Sequence, residues 1–157
     1  RYVKQPLVIN QMQFSIAHCG MVSQGIYTNM GNDGAVDRDG GILDYCRLND
    51  ITIQTWSPLQ FGFQEGIFIG HPKFPELNKV LDELAEKYSV SPSTIAFAWI
   101  LRHPAHMQPI TGTIRASRLK ECFDAADITL TRDEWYALYT AAGNPLPCNP
   151  QPNQART

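Results

Sequence analysis

Residues 107–122, MQPITGTIRASRLKEC, gather the side chains of this sequence best suited to chemistry. A short apolar approach, Pro109 and Ile110, runs into a turn at Thr111, Gly112 and Thr113, and Arg115 and Arg118 follow where a helix should start. A strand–turn–helix junction of this kind favours an anion. The first amides of a helix have no partner inside it, the positive end of the helix dipole lies behind them, and arginine adds charge and paired donors that suit a phosphate. The same residues also allow a plainer reading, in which Thr113 and Ser117 turn and cap the chain while the arginines are solvated.

The elements that must position this junction alternate between strand and helix. Residues 7–14, LVINQMQF, read as a strand with β-branched Val8 and Ile9 and amides at Asn10, Gln11 and Gln13. Residues 15–40, rich in Gly, Ser, Asn and Asp, read as a long loop holding at most one short turn of helix, and loops that long are usually functional or mobile. Helical spacing at Ile42, Tyr45, Cys46 and Leu48 marks residues 41–49, and a second strand over 51–56, ITIQTW, stops at Ser57-Pro58. Another loop fills 57–74, with aromatics at Phe61, Phe63, Phe68 and Phe74. Residues 76–88 carry an apolar stripe at Leu77, Val80, Leu81 and Leu84 and form an amphipathic helix, whereas 93–102 are apolar almost all round and so form a buried one. A third strand is expected over 108–110 and a helix over 117–126. Thr131 and Glu134 have the spacing of a capping box opening a last helix that runs to Ala142. The end, from Asn144 onward, is polar and Pro-rich.

Composition narrows the function classes. The chain has 157 residues, the size of one ordinary domain, and its formal net charge of −2 makes no electrostatic case for nucleic acid or an anionic membrane. No apolar run approaches the roughly 18 residues of a spanning helix. Four cysteines, Cys19, Cys46, Cys122 and Cys148, are widely spaced, which fits reduced thiols in a cytoplasmic protein better than a disulfide frame or a metal site. His103 and His106 are separated by the helix-ending Pro104 and read as helix-end residues. The chain starts at Arg1 without an initiator Met, so the expectation is a piece of a longer protein.

Four separated motifs, VINQMQFS, ITIQTWSPLQFG, VSPSTIAFAWILRHP and PITGTIRASRLKE, resemble in order and spacing the last three βα units of the aldo-keto reductase barrel. The sequence is similar in particular to bacterial oxidoreductases of that family whose seventh strand carries Trp-Ser-Pro. The resemblance implies an α/β fold, the C-terminal part of a (β/α)8 TIM-type barrel with about strands six to eight, over residues 1–147, followed by a tail over 148–157. It implies an NADPH cofactor, with NADH the weaker alternative, and a small carbonyl substrate, an aldehyde or ketone.

Roles follow only where residues match. Gln11 falls on the glutamine that binds the nicotinamide carboxamide, and Trp56 on the aromatic that stacks on the nicotinamide ring. Ser57, Pro58, Leu59 and the segment 60–62 ending in Gly62 fall on contacts to the pyrophosphate. Thr113 matches the hydroxyl at the 2′-phosphate, Arg118 the arginine beside it, and Glu121 the acid near the adenine amine. Two positions depart: Gly112 stands where many members carry a phosphate-binding lysine, for which Arg115 is the candidate substitute, and Cys122 where they carry asparagine. The family's catalytic tyrosine, lysine, aspartate and histidine lie on the first half of the barrel, so no catalytic residue is assigned. A closed barrel needs about 250 residues. The expected partner is therefore the missing N-terminal half, the alternative being a non-catalytic nucleotide-binding or interaction module of the same fold.

Overall fold

The structure is a computed structural model that describes residues 4–27, 30, 35–37, 39–62, 65–144 and 146–147. Three parallel strands, β1 (Ile9–Gln13), β2 (Thr52–Trp56) and β3 (Gln108–Pro109), form one sheet in the order β1-β2-β3. Helices α1 (Gly20–Ile26) and α2 (Ile42–Leu48) join β1 to β2, and α3 (Pro75–Tyr88) and α4 (Pro92–Leu101) join β2 to β3. After β3 come α5 (Ala116–Asp124), one 3-10 turn over Ala125–Asp127, and α6 (Arg132–Ala141). The strand–helix alternation predicted from sequence is therefore present.

Burial along β2 alternates with the pleat. Ile53 and Thr55 are buried, whereas Thr52, Gln54 and Trp56 are only partly covered, so one face of the sheet packs and the other is open. The packed side is closed by α4, whose residues from Thr94 to Ile100 are all buried. Its start is capped by Ser91, whose Oγ accepts from the Thr94 amide at 3.2 Å, with Pro92 in the first position where no amide is missed. Helix α3 buries Leu77, Leu81, Leu84 and Ala85 and stops at Ser89, which takes a left-handed φ of 56°. At the centre Trp99 and Trp135 stack at 4.7 Å, and each indole N–H donates to the other residue's carbonyl, at 3.0 and 3.1 Å. Phe14, just past β1, stacks on Trp99 at 5.3 Å and ties this helical pair to the sheet.

Four local differences from the sequence reading have physical reasons. Residues 20–26, expected within a loop with one short turn, form a two-turn helix because Met21 and Val22 bury against the core, overriding the two glycines. β1 starts at Ile9 rather than Leu7, and Leu7 and Val8 remain exposed. β3 is two residues long because Pro109 brings no N–H to the ladder, although the Ile110 amide still donates to the Thr55 carbonyl at 2.9 Å. The helix expected over 117–126 starts at Ala116, and its last turn tightens into the 3-10 turn. The tail over 148–157, Cys148, Phe63 and residues 28–29 and 31–34 of the long loop lie outside the described residues.

The capping box predicted from Thr131 and Glu134 is formed. The Glu134 amide donates to Thr131 Oγ1 at 3.2 Å, and Glu134 Oε2 accepts from the Thr131 amide at 2.7 Å. Lys87 Nζ and the Tyr88 hydroxyl reach the same carboxylate at 2.6 and 2.9 Å. Partial burial on its own would raise this carboxyl, but the Lys87 ammonium and then the Thr131 amide and Tyr88 hydroxyl bring it from 4.5 down to about 2. A carboxyl held low contributes stability that is complete above its unfolded value and is lost as pH falls through the folded one. The thermal midpoint should therefore drop between pH 4.5 and about 2. Glu134→Gln should flatten that step and cost on the order of 1–2 kcal/mol at neutral pH. An unchanged step in the variant would assign the acid sensitivity elsewhere.

Among the described residues neither the outer edge of β1 nor that of β3 is paired, and Leu7, Val8 and Ile9 are 63, 61 and 48% exposed at the first. Unpaired strand edges with apolar side chains associate. Residues 1–157 produced alone should self-associate in sedimentation experiments, and a dilute monomer with a sharp cooperative melt would overturn this.

Candidate functional site

Two hollows open where the strands end. The first, about 540 Å³, is walled by Ser57, Pro58 and Leu59 after β2, by Gly112 and Thr113 after β3, by Arg118 and Glu121 of α5, and by Phe97 of α4. The second, about 650 Å³, is lined by Gln11, Gln13 and Trp56 from the sheet and by His18, Ser23, Gln24 and Asp39 from the segment after β1. Consecutive residues, Trp56 and Ser57, stand one in each.

The bend between them is built at Ser57. Its φ of 52° is a left-handed conformation uncommon outside glycine, and it turns the chain away from the sheet just before Pro58. The Ser57 carbonyl accepts from the Gln60 amide at 3.0 Å, and the fully buried Ser15 donates through Oγ to the Gln60 carbonyl at 2.5 Å. Phe68 N–H bonds back to the Leu59 carbonyl at 3.1 Å, and Gln60 bridges Ile67. These contacts close the loop beside the first hollow.

On the opposite wall α5 begins without a side-chain cap. Arg115 occupies the cap position with extended backbone and no capping bond, and the first turn carries no acid. Ser117, a possible cap from sequence, lies inside the helix, while Thr113 Oγ1 accepts from the Arg115 amide at 3.2 Å and shapes the turn. The opening amides of α5 thus have no acidic or capping side chain, and Arg118 stands exposed next to them without an ion pair among the described residues. An anion fits such a wall.

The structure brings together seven of the residues singled out from sequence: Ser57, Pro58, Leu59, Gly112, Thr113, Arg118 and Glu121 share the first hollow. Gln11 and Trp56 face the second. Arg115 and Gly62 line neither; Arg115 is exposed, and a Cβ on Gly62 would come 2.7 Å from the Glu65 carboxyl carbon. At Gly112 a Cβ would meet nothing within 4 Å, so the fold does not demand glycine there.

Sequence reasoning missed an amide ladder on the open sheet face. Gln11 Nε2 donates to Gln54 Oε1 at 3.0 Å, and Gln54 Nε2 donates to Gln108 Oε1 at 2.8 Å, across positions that lie opposite one another in the sheet. The signal available was a glutamine in every predicted strand, two of them in the first. Gln13 lies opposite Trp56, and its Nε2 is shielded from solvent with no hydrogen-bond partner among the described residues. Burial lowers the His18 imidazole and pushes the Cys19 thiol up to about 11 against a weaker opposing bond from Ser23. Burial likewise raises Tyr139, to about 12, and its hydroxyl donates to Ser23 at 2.9 Å. These groups are neutral near pH 7 and are not activated nucleophiles. Among the described residues no group of three or more His, Cys, Asp and Glu is arranged to hold a metal ion, and no helix is long and apolar enough to cross a membrane.

Comparison with known proteins agrees with this architecture. The 6-dehydroglucose reductase of Agrobacterium fabrum is 29% identical over 136 residues, which are 87% of this chain and 39% of the relative. The solved aldose reductase of Giardia lamblia superposes with a TM-score of 0.62 at 20% identity, over 91% of this chain and 39% of that one. A variant of Gox0644 solved in complex with NADPH superposes with a TM-score of 0.54 at 18% identity, over 85% of this chain and 38% of that one. The chain thus spans about two fifths of the length of each. Its residues 3–142 match the Aldo/keto reductase family, and with its parallel βα architecture the chain belongs to that family.

Proposed function

We propose that this chain is the cofactor-binding half, the C-terminal part of the barrel, of an NADP(H)-dependent oxidoreductase that reduces aldehydes or ketones to alcohols. The observation that carries the reading is the first hollow, where an uncapped helix start and Arg118 face the Ser57–Pro58 bend, with Trp56 and Gln11 beside it. The fit to a dinucleotide phosphate rests on that donor set. Arg118 and the hydroxyl of Thr113 would hold a 2′-phosphate, Glu121 would accept from the adenine amine, and residues 57–59 would line the pyrophosphate. Gln11 would bind the carboxamide, with the Gln54–Gln108 ladder fixing its orientation. When bound, the nicotinamide supplies a hydride to the substrate's carbonyl carbon. The residues that polarise that carbonyl and deliver a proton would come from the remainder of the barrel, which pairs with the open edges of β1 and β3. On this reading the chain alone is inactive.

The complete protein should oxidise NADPH in the presence of simple aldehydes. Binding of NADPH without turnover would favour the non-catalytic module instead. Each Arg–phosphate contact at a partly exposed helix start contributes roughly 1.5–3 kcal/mol, about one to two powers of ten in affinity. Arg118→Ala is expected to raise the NADPH dissociation constant at least tenfold and to leave NADH almost untouched, with the difference shrinking as salt rises. Gly112→Lys, for which space is open, should tighten NADPH. Equal weakening of both cofactors by Arg118→Ala would show that the arginine serves the adenine or the fold.

A ring stack on Trp56 has its own signature. Trp56→Ala should weaken cofactor binding by on the order of 1 kcal/mol and remove most of the indole quenching seen on adding NADPH. Unchanged affinity and quenching would return Trp56 to a structural role.

A further inference from the structure

A third hollow, about 330 Å³, lies among α1, the end of α4 and α6, and shares no lining residue with the two hollows of the proposed cofactor site. Its apolar lining comes from Val22 and Ile26 of α1, from Pro104 and from Trp135 and Tyr136 of α6. Two arginines, Arg102 and Arg132, line it as well, and among the described residues no acidic one does. Neither arginine is in an ion pair among the described residues. Arg102 is pinned: its Nε–H donates to the Leu130 carbonyl at 2.9 Å, which fixes the guanidinium and leaves its two terminal nitrogens as donors. Arg132 lies over the Tyr136 ring at 5.7 Å. Of the two carboxylates next along α6, Asp133 is exposed, lines no part of the hollow and is in no ion pair among the described residues, and Glu134 is already taken by Lys87, Tyr88 and Thr131.

His103 completes the polar lining. Burial, with Arg47 adding to it, pushes its imidazole down to about 4, so at neutral pH it is an uncharged donor and acceptor rather than a third cation. Its Nδ1 accepts from the Ala105 amide at 3.2 Å, which leaves the ring proton on Nε2.

We propose that this hollow is a second ligand site, for a small organic anion with a flat apolar body, of the chemical class of an aromatic carboxylate. The two guanidinium groups bind the carboxylate and the Trp135–Tyr136 corner takes the ring, a pairing of a few polar groups with an aromatic wall in a volume suited to a small molecule. A neutral ring of the same shape lacks the charge that the two arginines select. The site is independent of the phosphate wall at Arg118, which lies in a different hollow on different elements.

The test uses the complete protein, benzoate as probe and benzamide as its neutral counterpart, followed by tryptophan fluorescence and ligand-observed NMR. Benzoate should bind saturably and at least tenfold more tightly than benzamide. Arg132→Gln, at an exposed side chain lying over the Tyr136 ring, should weaken benzoate at least fivefold without moving the melting midpoint. Arg102→Lys, which keeps the charge but not the pinned fork, should weaken it by a similar factor. Arg118→Gln and saturating NADPH should leave benzoate binding within twofold. Equal binding of benzoate and benzamide, insensitivity to both Arg102 and Arg132 variants, or displacement of benzoate by NADPH would each overturn the proposal. Loss of NADPH binding with benzoate binding intact would count against the cofactor reading and leave this site standing.

Discussion

The parallel pairing of β2 with a strand on either side is the constraint on which the site depends. Because side chains alternate along a strand, that register commits Ile53 and Thr55 to the helices and Gln54 and Trp56 to the open face. A slip of one residue would invert the set, placing an indole against α4 and an isoleucine on the open face. The same register sets Gln13 opposite Trp56 and delivers the chain to Ser57, where the left-handed turn separates one hollow from the next. Neither hollow therefore has a wall that belongs to one element alone.

Much of this was legible because the signals are local. The apolar stripe of α3, the all-round apolarity of α4 and the Thr131–Glu134 box each depend on residues within a turn or two of one another, and each formed as read. The junction after β3 was legible for the same reason, down to Thr113 shaping the turn and Arg118 standing beside the helix start. What was not legible depends on contacts distant in sequence. Helix α1 exists because Met21 and Val22 find a core, which no periodicity announces in a segment with two glycines. The glutamine ladder joins positions 43 and 54 residues apart and becomes visible only once the register is known. Arg115 shows the limit from the other side: the family resemblance offered it as a substitute cation, and it is exposed and does not line the first hollow.

Membership of the aldo/keto reductase family sits well with a chain that spans about two fifths of the relatives it matches. The structure concentrates hydrogen-bonding groups on the open face of the sheet while leaving the opposite face to pack. Two residues of the first hollow also have physical consequences. Gly112 leaves open space at the turn, and Cys122 carries a thiol whose burial raises its pKa and whose Sγ turns back to the Arg118 carbonyl at 3.2 Å.

The Trp99–Trp135 pair has an optical consequence. Two indole rings 4.7 Å apart and 9° from parallel, each locked by the other's backbone, are close enough for their electronic transitions to mix. Light absorbed by one is shared with the other, and a pair held this rigidly in a chiral core contributes a near-ultraviolet circular dichroism band to the folded chain. Because Phe14 lies against the same stack at the end of β1, that band reports whether the helical layer is seated on the sheet. The core thus carries its own chromophore for tertiary order, one that distinguishes the packed protein from a collapsed chain with the same helices.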